Sequence, residues 1–160
     1  MYFLRLAPDE DVLAGLQSAI KEVGIHTGLV TSITGSLHRA RLQHFPHVGR
    51  ECGSVDVLEV EGPLEVTGQG IIGATRGSGG VGGYVDGEPY VHVHLVVTGG
   101  LGTWCGHLME GCKVRAHHEI SHFTFAIVPV SGIALTLVAQ EARSGQRGFV
   151  YHELREVKDS

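Results

Sequence analysis

Apolar residues recur along this chain in two rhythms. Near the start, Val12, Leu13, Leu16, Ile20 and Val23 fall on one stripe at helical spacing. Asp9, Glu10 and Asp11 stand at the end where a helix dipole favours acidic groups, and Gly24 supplies a stop. This stretch predicts an amphipathic helix packed onto a sheet. Elsewhere the pattern is short and β-like, over residues 2–6, 29–34, 40–45, 55–60, 64–72, 90–97, 103–109, 114–125, 133–139 and 149–154. Strands following strands without helices between them predict a largely antiparallel arrangement and disfavour a doubly wound parallel fold. The expectation is α+β: a single domain over residues 1–160 with one N-terminal amphipathic helix.

The apolar run at 123–139 approaches the roughly 17-residue lower limit of a membrane helix. Pro129-Val-Ser-Gly132 interrupts it, so two buried strands joined by a tight turn explain it better. The N-terminus reaches charge at Arg5 and has no apolar core of signal-peptide length, so no membrane association and a cytoplasmic location are expected. Cys52, Cys105 and Cys112 are odd in number and form no Cys-x-x-Cys pair, which fits thiols in a reducing compartment. With 42% hydrophobic and 18% charged residues the chain is ordinary globular material. A net charge of -5 supplies no general attraction to phosphate backbones or anionic lipid.

The 24 glycines concentrate between Gly68 and Gly87. Arg76-Gly-Ser-Gly-Gly-Val-Gly-Gly83 reads as a mobile loop, and 77–83 as a cover beside whatever site the next strand carries. Gly68-Gln-Gly-Ile-Ile-Gly73 matches the dinucleotide fingerprint by letter, but no helical pattern follows to aim an N-terminus at a pyrophosphate. A strand with glycine gaps accounts for it.

The chemistry-bearing stretch is Tyr90-Val-His-Val-His-Leu-Val-Val97 followed by Trp104-Cys-Gly-His-Leu-Met-Glu110. Residues two apart on a strand share a face, so His92 and His94 have Cα atoms roughly 6.6 Å apart and reach one ion. The turn signal Thr98-Gly-Gly-Leu-Gly102 predicts a hairpin that returns His107 toward the same face. Three neutral imidazoles suit Zn2+, with iron or nickel as rivals, and leave a coordination position open. Histidines that are merely hydrogen-bonded sheet residues are the competing reading. Cys105 shares the strand face of His107, as a bystander thiol or a fourth ligand.

Gly87-Glu-Pro-Tyr-Val-His-Val-His-Leu, then Gly106-His-Leu-Met-Glu-Gly-Cys-Lys-Val114 and Glu119, resemble the PPC (PCC) domain, the plant and prokaryote conserved family. Gly62-Pro-Leu-Glu-Val66 and the passage from Gly24-Ile25 through Gly28 to Gly35 extend the likeness over nearly all the chain. The resemblance implies a two-sheet core, a homotrimer and, as in prokaryotic members with His-x-His and Gly-His-Leu, His92, His94 and His107 as metal ligands. The spacing is also similar to that of acetolactate decarboxylase, a fold relative holding catalytic zinc, over this motif alone. The chain departs from the family pattern at Cys105 and in the long glycine loop. Glu65, Glu110 and Glu119 are the candidate proton-transfer groups, Glu65 first; Glu65 and Glu119 match family positions and Glu110 follows the histidine segment.

His118-Glu-Ile-Ser-His122 spells the zinc-protease signature, but the β-favouring residues around it place the two histidines roughly 13 Å apart on a strand, too far to share an ion. His117, His118 and His122 read as sheet residues, and His44 and His47 as loop residues. No Gly-x-Ser-x-Gly elbow accompanies the 11 histidines. The sequence thus supports a metal-dependent enzyme or small-molecule binder. A DNA-associated regulatory module, which lacks any basic cluster here, and a trimeric assembly domain with structural histidines are the alternatives.

Overall fold

The computed structural model describes residues 1–45, 56–76, 85–115, 123–141 and 150–157. The helix α1 spans Val12–Glu22. Its Asp11 N-cap accepts hydrogen bonds from the Leu13 and Ala14 N–H groups, both at 3.1 Å. At the other end Gly24 takes φ +69°, and the Ile25 N–H donates to the Ile20 carbonyl at 3.1 Å, a Schellman closure that only a residue tolerant of left-handed backbone permits cheaply. Val12, Leu16 and Ile20 are fully buried. Each contributes about 1.5–3 kcal/mol by leaving water. Val23, expected on the same stripe, is instead the exposed C-cap residue.

Nine strands accompany it among the described residues: β1 (Tyr2–Leu6), β2 (Gly28–His44), β3 (Asp56–Thr75), β4 (Pro89–Gly99), β5 (Gly102–Leu108), β6 (Lys113–Val114), β7 (Phe123–Pro129), β8 (Ala134–Glu141) and β9 (Val150–Val157). They form one sheet in the order β1-β7-β2-β5-β4-β3-β8-β9, with β6 beside β2 and a further β2–β3 pairing. The expected α+β class with two sheets is therefore corrected: the molecule is mostly strand, with one short helix on a single mixed sheet. The mixing comes from β8, which runs parallel to β3 through Ala74↔Thr136 and Thr75↔Leu137.

The physical reason lies in β2 and β3. Sequence patterning divides each in two, at 35–39 and 61–63, yet both run through. The register shift between Leu37 and Arg39, opposite Leu64 and Glu61, absorbs both breaks. β2 is bonded to β3 on one side and reaches β5 at Leu42↔Leu108 and Gln43↔His107, while β3 and β5 both flank β4. The ladder thus closes through β2, and what would be two sheets is continuous. The expected turn at 129–132 does separate two strands, but β7 and β8 are not partners: β7 pairs with β1 and β2, and β8 with β3 and β9.

The core lies inside this curved ladder and under α1. Val93, Leu95 and Val97 of β4 are fully buried, alternating with His92, His94 and Val96 on the outer face. Cys112 is buried among them; its Sγ donates to the Arg41 carbonyl at 3.2 Å, and burial pushes its thiol pKa up. No helix among the described residues is long and apolar enough to cross a membrane.

Candidate metal centre

Strand alternation builds the site. His94 stands directly opposite His107 across the β4–β5 ladder, as the hairpin signal predicts, and His92 lies two residues earlier on the same face of β4. The hairpin closes tightly, with Gly99 opposite Gly102 and only Gly100 and Leu101 between them. Ring centroids are 5.1 Å apart for His92 and His94, 4.9 Å for His92 and His107, and 5.6 Å for His94 and His107. One nitrogen from each of the three falls within 4.8 Å of the others. This is a group that could hold a metal ion.

The shortest separation is diagnostic. His92 Nε2 and His94 Nε2 are 3.2 Å apart. Two donors bound tetrahedrally to zinc at about 2.0–2.1 Å would be separated by about 3.3–3.4 Å. The pair is thus at ligand spacing, on a strand face that period two gives to both residues. His92 Nδ1 lies 3.3 Å from the Tyr90 hydroxyl. When that nitrogen carries the proton and donates it to the tyrosine oxygen, Nε2 presents its lone pair inward, which is the tautomer a metal requires. Tyr90 is itself 5% exposed. Its ring is held by the core, so the hydroxyl is a fixed reference for His92.

The neighbours are set by the same ladder. Gln69 of β3 is opposite His94, and Ile71 is opposite His92. Leu29 of β2 is in turn opposite Ile71, and Gln43 opposite His107. An open depression of about 470 Å³ lies beside the histidines, lined by Leu29, Thr31, Gln69, Ile71, His92 and His94 among others. The letters of the dinucleotide fingerprint find their explanation here. Gly68 and Gly70 sit in mid-strand, and a Cβ on either would come within 2.5 Å of the His94 or the His92 carbonyl oxygen. Glycine lets β3 lie flush against the histidine strand.

The carboxylates are placed differently. Glu65 shares the histidine face but is opposite Thr98, four residues along β4 from His94, about 13 Å away by strand rise. Glu110 follows β5 and is exposed, its backbone carbonyl accepting from Arg41 Nη1 at 3.2 Å. Neither belongs to the histidine cluster. Cys105 is on the same face, exposed and opposite Val96, and it too stays outside the cluster. Glu119, the His118–His122 signature, His47, Cys52 and the 77–83 loop lie outside the described residues. Tyr90 and Gln69 were legible only as a strand tyrosine and a fingerprint letter; the period-two spacing of Tyr90 from His92 was the available signal.

Known proteins agree with this architecture. The structure is similar to a metal-containing protein from Archaeoglobus fulgidus, with TM-score 0.67 and 21% identity over 88% of this chain and 86% of that one. It is also similar to a Ralstonia eutropha protein provisionally described as DNA-binding, with TM-score 0.69 and 18% identity over 96% of this chain and 90% of that one. At these identities the likeness is one of fold. In sequence, the chain is 29% identical over 123 residues to the bifunctional protein GlmU of Synechococcus, matching 75% of its own length but spanning only 16% of that protein. Residues 1–125 match the Plants and Prokaryotes Conserved domain, and with its three converging histidines on a closed ladder this chain belongs to the PCC, or PPC, family.

Proposed function

We propose that the chain binds one divalent transition metal, zinc by donor chemistry, through His92, His94 and His107, and uses the open coordination position on a small molecule as an enzyme or a binder. The observation that carries this is the 3.2 Å spacing of the His92 and His94 Nε2 atoms, with a His107 nitrogen in the same 4.8 Å group. Three neutral imidazoles suit zinc, iron or nickel better than magnesium or calcium, which prefer oxygen. A metal there supplies Lewis acidity toward a carbonyl, or a bound water with pKa near about 7. The chain's part is to hold three rings at ligand spacing and to fix the His92 tautomer through Tyr90.

Proton transfer by Glu65, Glu110 or Glu119 belongs to the same proposal, with Glu65 first because it matches a family position; at about 13 Å from His94 it would act through intervening water. So does the homotrimer that the family resemblance implies, for which light scattering should give three times the chain mass; a monomer at high concentration rejects it. DNA association is the weaker reading: Arg39 and Arg41 meet Glu59 at 2.6 and 3.3 Å and Arg39 also lies 3.6 Å from Glu61, so two carboxylates balance the two guanidinium groups. Elemental analysis of purified protein tests the metal. About one ion per chain is expected for a single site of this type; a chain that stays metal-free after equilibration with zinc, iron and nickel rejects the reading.

A further inference from the structure

The charge balance of the site and the walls of its depression point to a ligand class. We propose that the depression beside the histidines binds a small monocarboxylate with a short apolar tail: the carboxylate takes the open metal position and Gln69, and the tail rests on Leu29 and Ile71. This rests on the metal reading above.

The head group follows from charge. Three neutral imidazoles leave a divalent ion with its full positive charge, and no carboxylate joins the cluster among the described residues. A site of that balance favours an anion at its open position. The depression's described lining carries no Lys or Arg, so a phosphate dianion would find no counter-charge beyond the metal. A single negative charge matches better. Gln69 is the amide on the depression's wall, whereas Gln43, opposite His107, is not among its lining residues. Gln69 is directly opposite His94, where cross-strand Cβ atoms are about 4.5–5.5 Å apart, and it lines the same depression. Its NH2 group can donate to the carboxylate oxygen that does not face the metal. Thr31 is less suited, because its hydroxyl donates to the Ala126 carbonyl at 3.2 Å.

The tail follows from the walls. Leu29 and Ile71 are opposite one another on β2 and β3, 42% and 38% exposed, with Ile71 directly opposite His92 and Leu29 one strand beyond. An apolar pair next to a polar cluster is the pattern of a small-molecule site, and about 470 Å³ falls within the usual size range. The openness of the depression to solvent sets the tail at a few carbons and the affinity in the weak range.

Cobalt(II)-loaded protein gives the readout, since its visible bands respond to a change in the fourth ligand whether or not any turnover occurs. 3-Methylbutanoate, acetate, 3-methylbutanamide and inorganic phosphate are titrated separately. The branched acid should shift the bands with an affinity at least about 5-fold above acetate, the excess coming from tail burial. The amide should do nothing at equal concentration. Gln69→Leu should weaken both acids about 10-fold, as expected for one lost hydrogen bond to a charged group. Ile71→Ala should erase the advantage of the branched acid, and neither variant should change cobalt stoichiometry. Full cobalt loading with silent acid titrations, equal binding of the amide, or tighter binding of phosphate overturns this inference while leaving the metal reading intact. Failure of the wild type to load cobalt at all removes the metal reading and this inference together.

Discussion

The Nε2 atoms of His92 and His94 face each other at 3.2 Å, with His94 standing opposite His107 on the next strand. Without an ion, such a contact needs a proton between the two nitrogens; with one, the ion occupies the place of that proton and both lone pairs turn to it. The strand register sets the three histidines on one face, so the backbone contributes no ordering cost specific to bringing them together.

Each of the three ligands should therefore matter separately. His92→Ala, His94→Ala and His107→Ala are each expected to lower zinc affinity at least about 100-fold, because two remaining imidazoles no longer define a closed three-point site. Competition against a chromophoric chelator measures it. Glu65→Gln, at the far end of the same strand face, should leave affinity and stoichiometry unchanged. A His92→Ala or His94→Ala variant that keeps wild-type metal content would show that the ligands lie elsewhere.

Tyr90 acts through His92. Tyr90→Phe removes the oxygen 3.3 Å from Nδ1 while keeping the buried ring. Loss of such an orienting partner typically weakens metal binding about 10–100-fold, and the lower end is expected here because Nδ1 is not shut off from solvent. Tyr90→Leu also opens the core and should lower thermal stability more than Tyr90→Phe, which keeps the ring and loses only the hydroxyl's contacts. Unchanged metal affinity in the phenylalanine variant would mean that water orients His92 equally well.

These relationships were unequally legible in the sequence. The histidine triad could be read because each step rests on a local rule: period two puts His92 and His94 on one face, and a glycine-rich turn at 98–102 returns His107 beside them. The helix was equally plain, with its start at Asp11 and its stop at Gly24. The sheet was not. Whether β2 ends at Thr34 or continues to His44 depends on partners on both its edges, and β5 reaches it only through the distant pairs Leu42↔Leu108 and Gln43↔His107. Periodicity carries no information about such long-range pairing, so it could not test the two-sheet core that the family resemblance implies. Glu65 shows the same limit on a smaller scale. Its face could be read, but its distance from His94 required the β3–β4 register, which places it opposite Thr98.

Gly70 is required by close approach rather than by turn geometry. A methyl group there would meet the His92 carbonyl oxygen at 2.5 Å, and a backbone atom cannot rotate away as a side chain would. Gly70→Ala is expected to cost about 1–3 kcal/mol of stability and to weaken zinc binding, since the strand that must shift carries His92. Gly100→Ala is the control. A Cβ at Gly100 meets nothing within 4 Å, so stability should stay within about 0.5 kcal/mol of wild type. Denaturant unfolding of the metal-free proteins separates the two.

Asp11 ties the helix to the turn that follows β5, the strand of His107. One carboxylate oxygen caps α1, and the other accepts from the Gly111 N–H at 2.8 Å, with Lys113 Nζ 3.6 Å away. The side chain is only 11% exposed. Asp11→Ala loses the cap and the anchor together and should cost about 2–3 kcal/mol, the sum of a helix cap and a hydrogen bond to a shielded carboxylate. Asp11→Asn divides the two contributions. Its amide oxygen still caps the helix, but its NH2 cannot accept from Gly111, so about half of the loss should remain. Because β5 also pairs with β4 and β2, His107 keeps its place in both variants, and zinc stoichiometry at saturation should match wild type. Equal destabilisation by alanine and asparagine would mean that the Gly111 anchor carries the whole effect and the helix cap none.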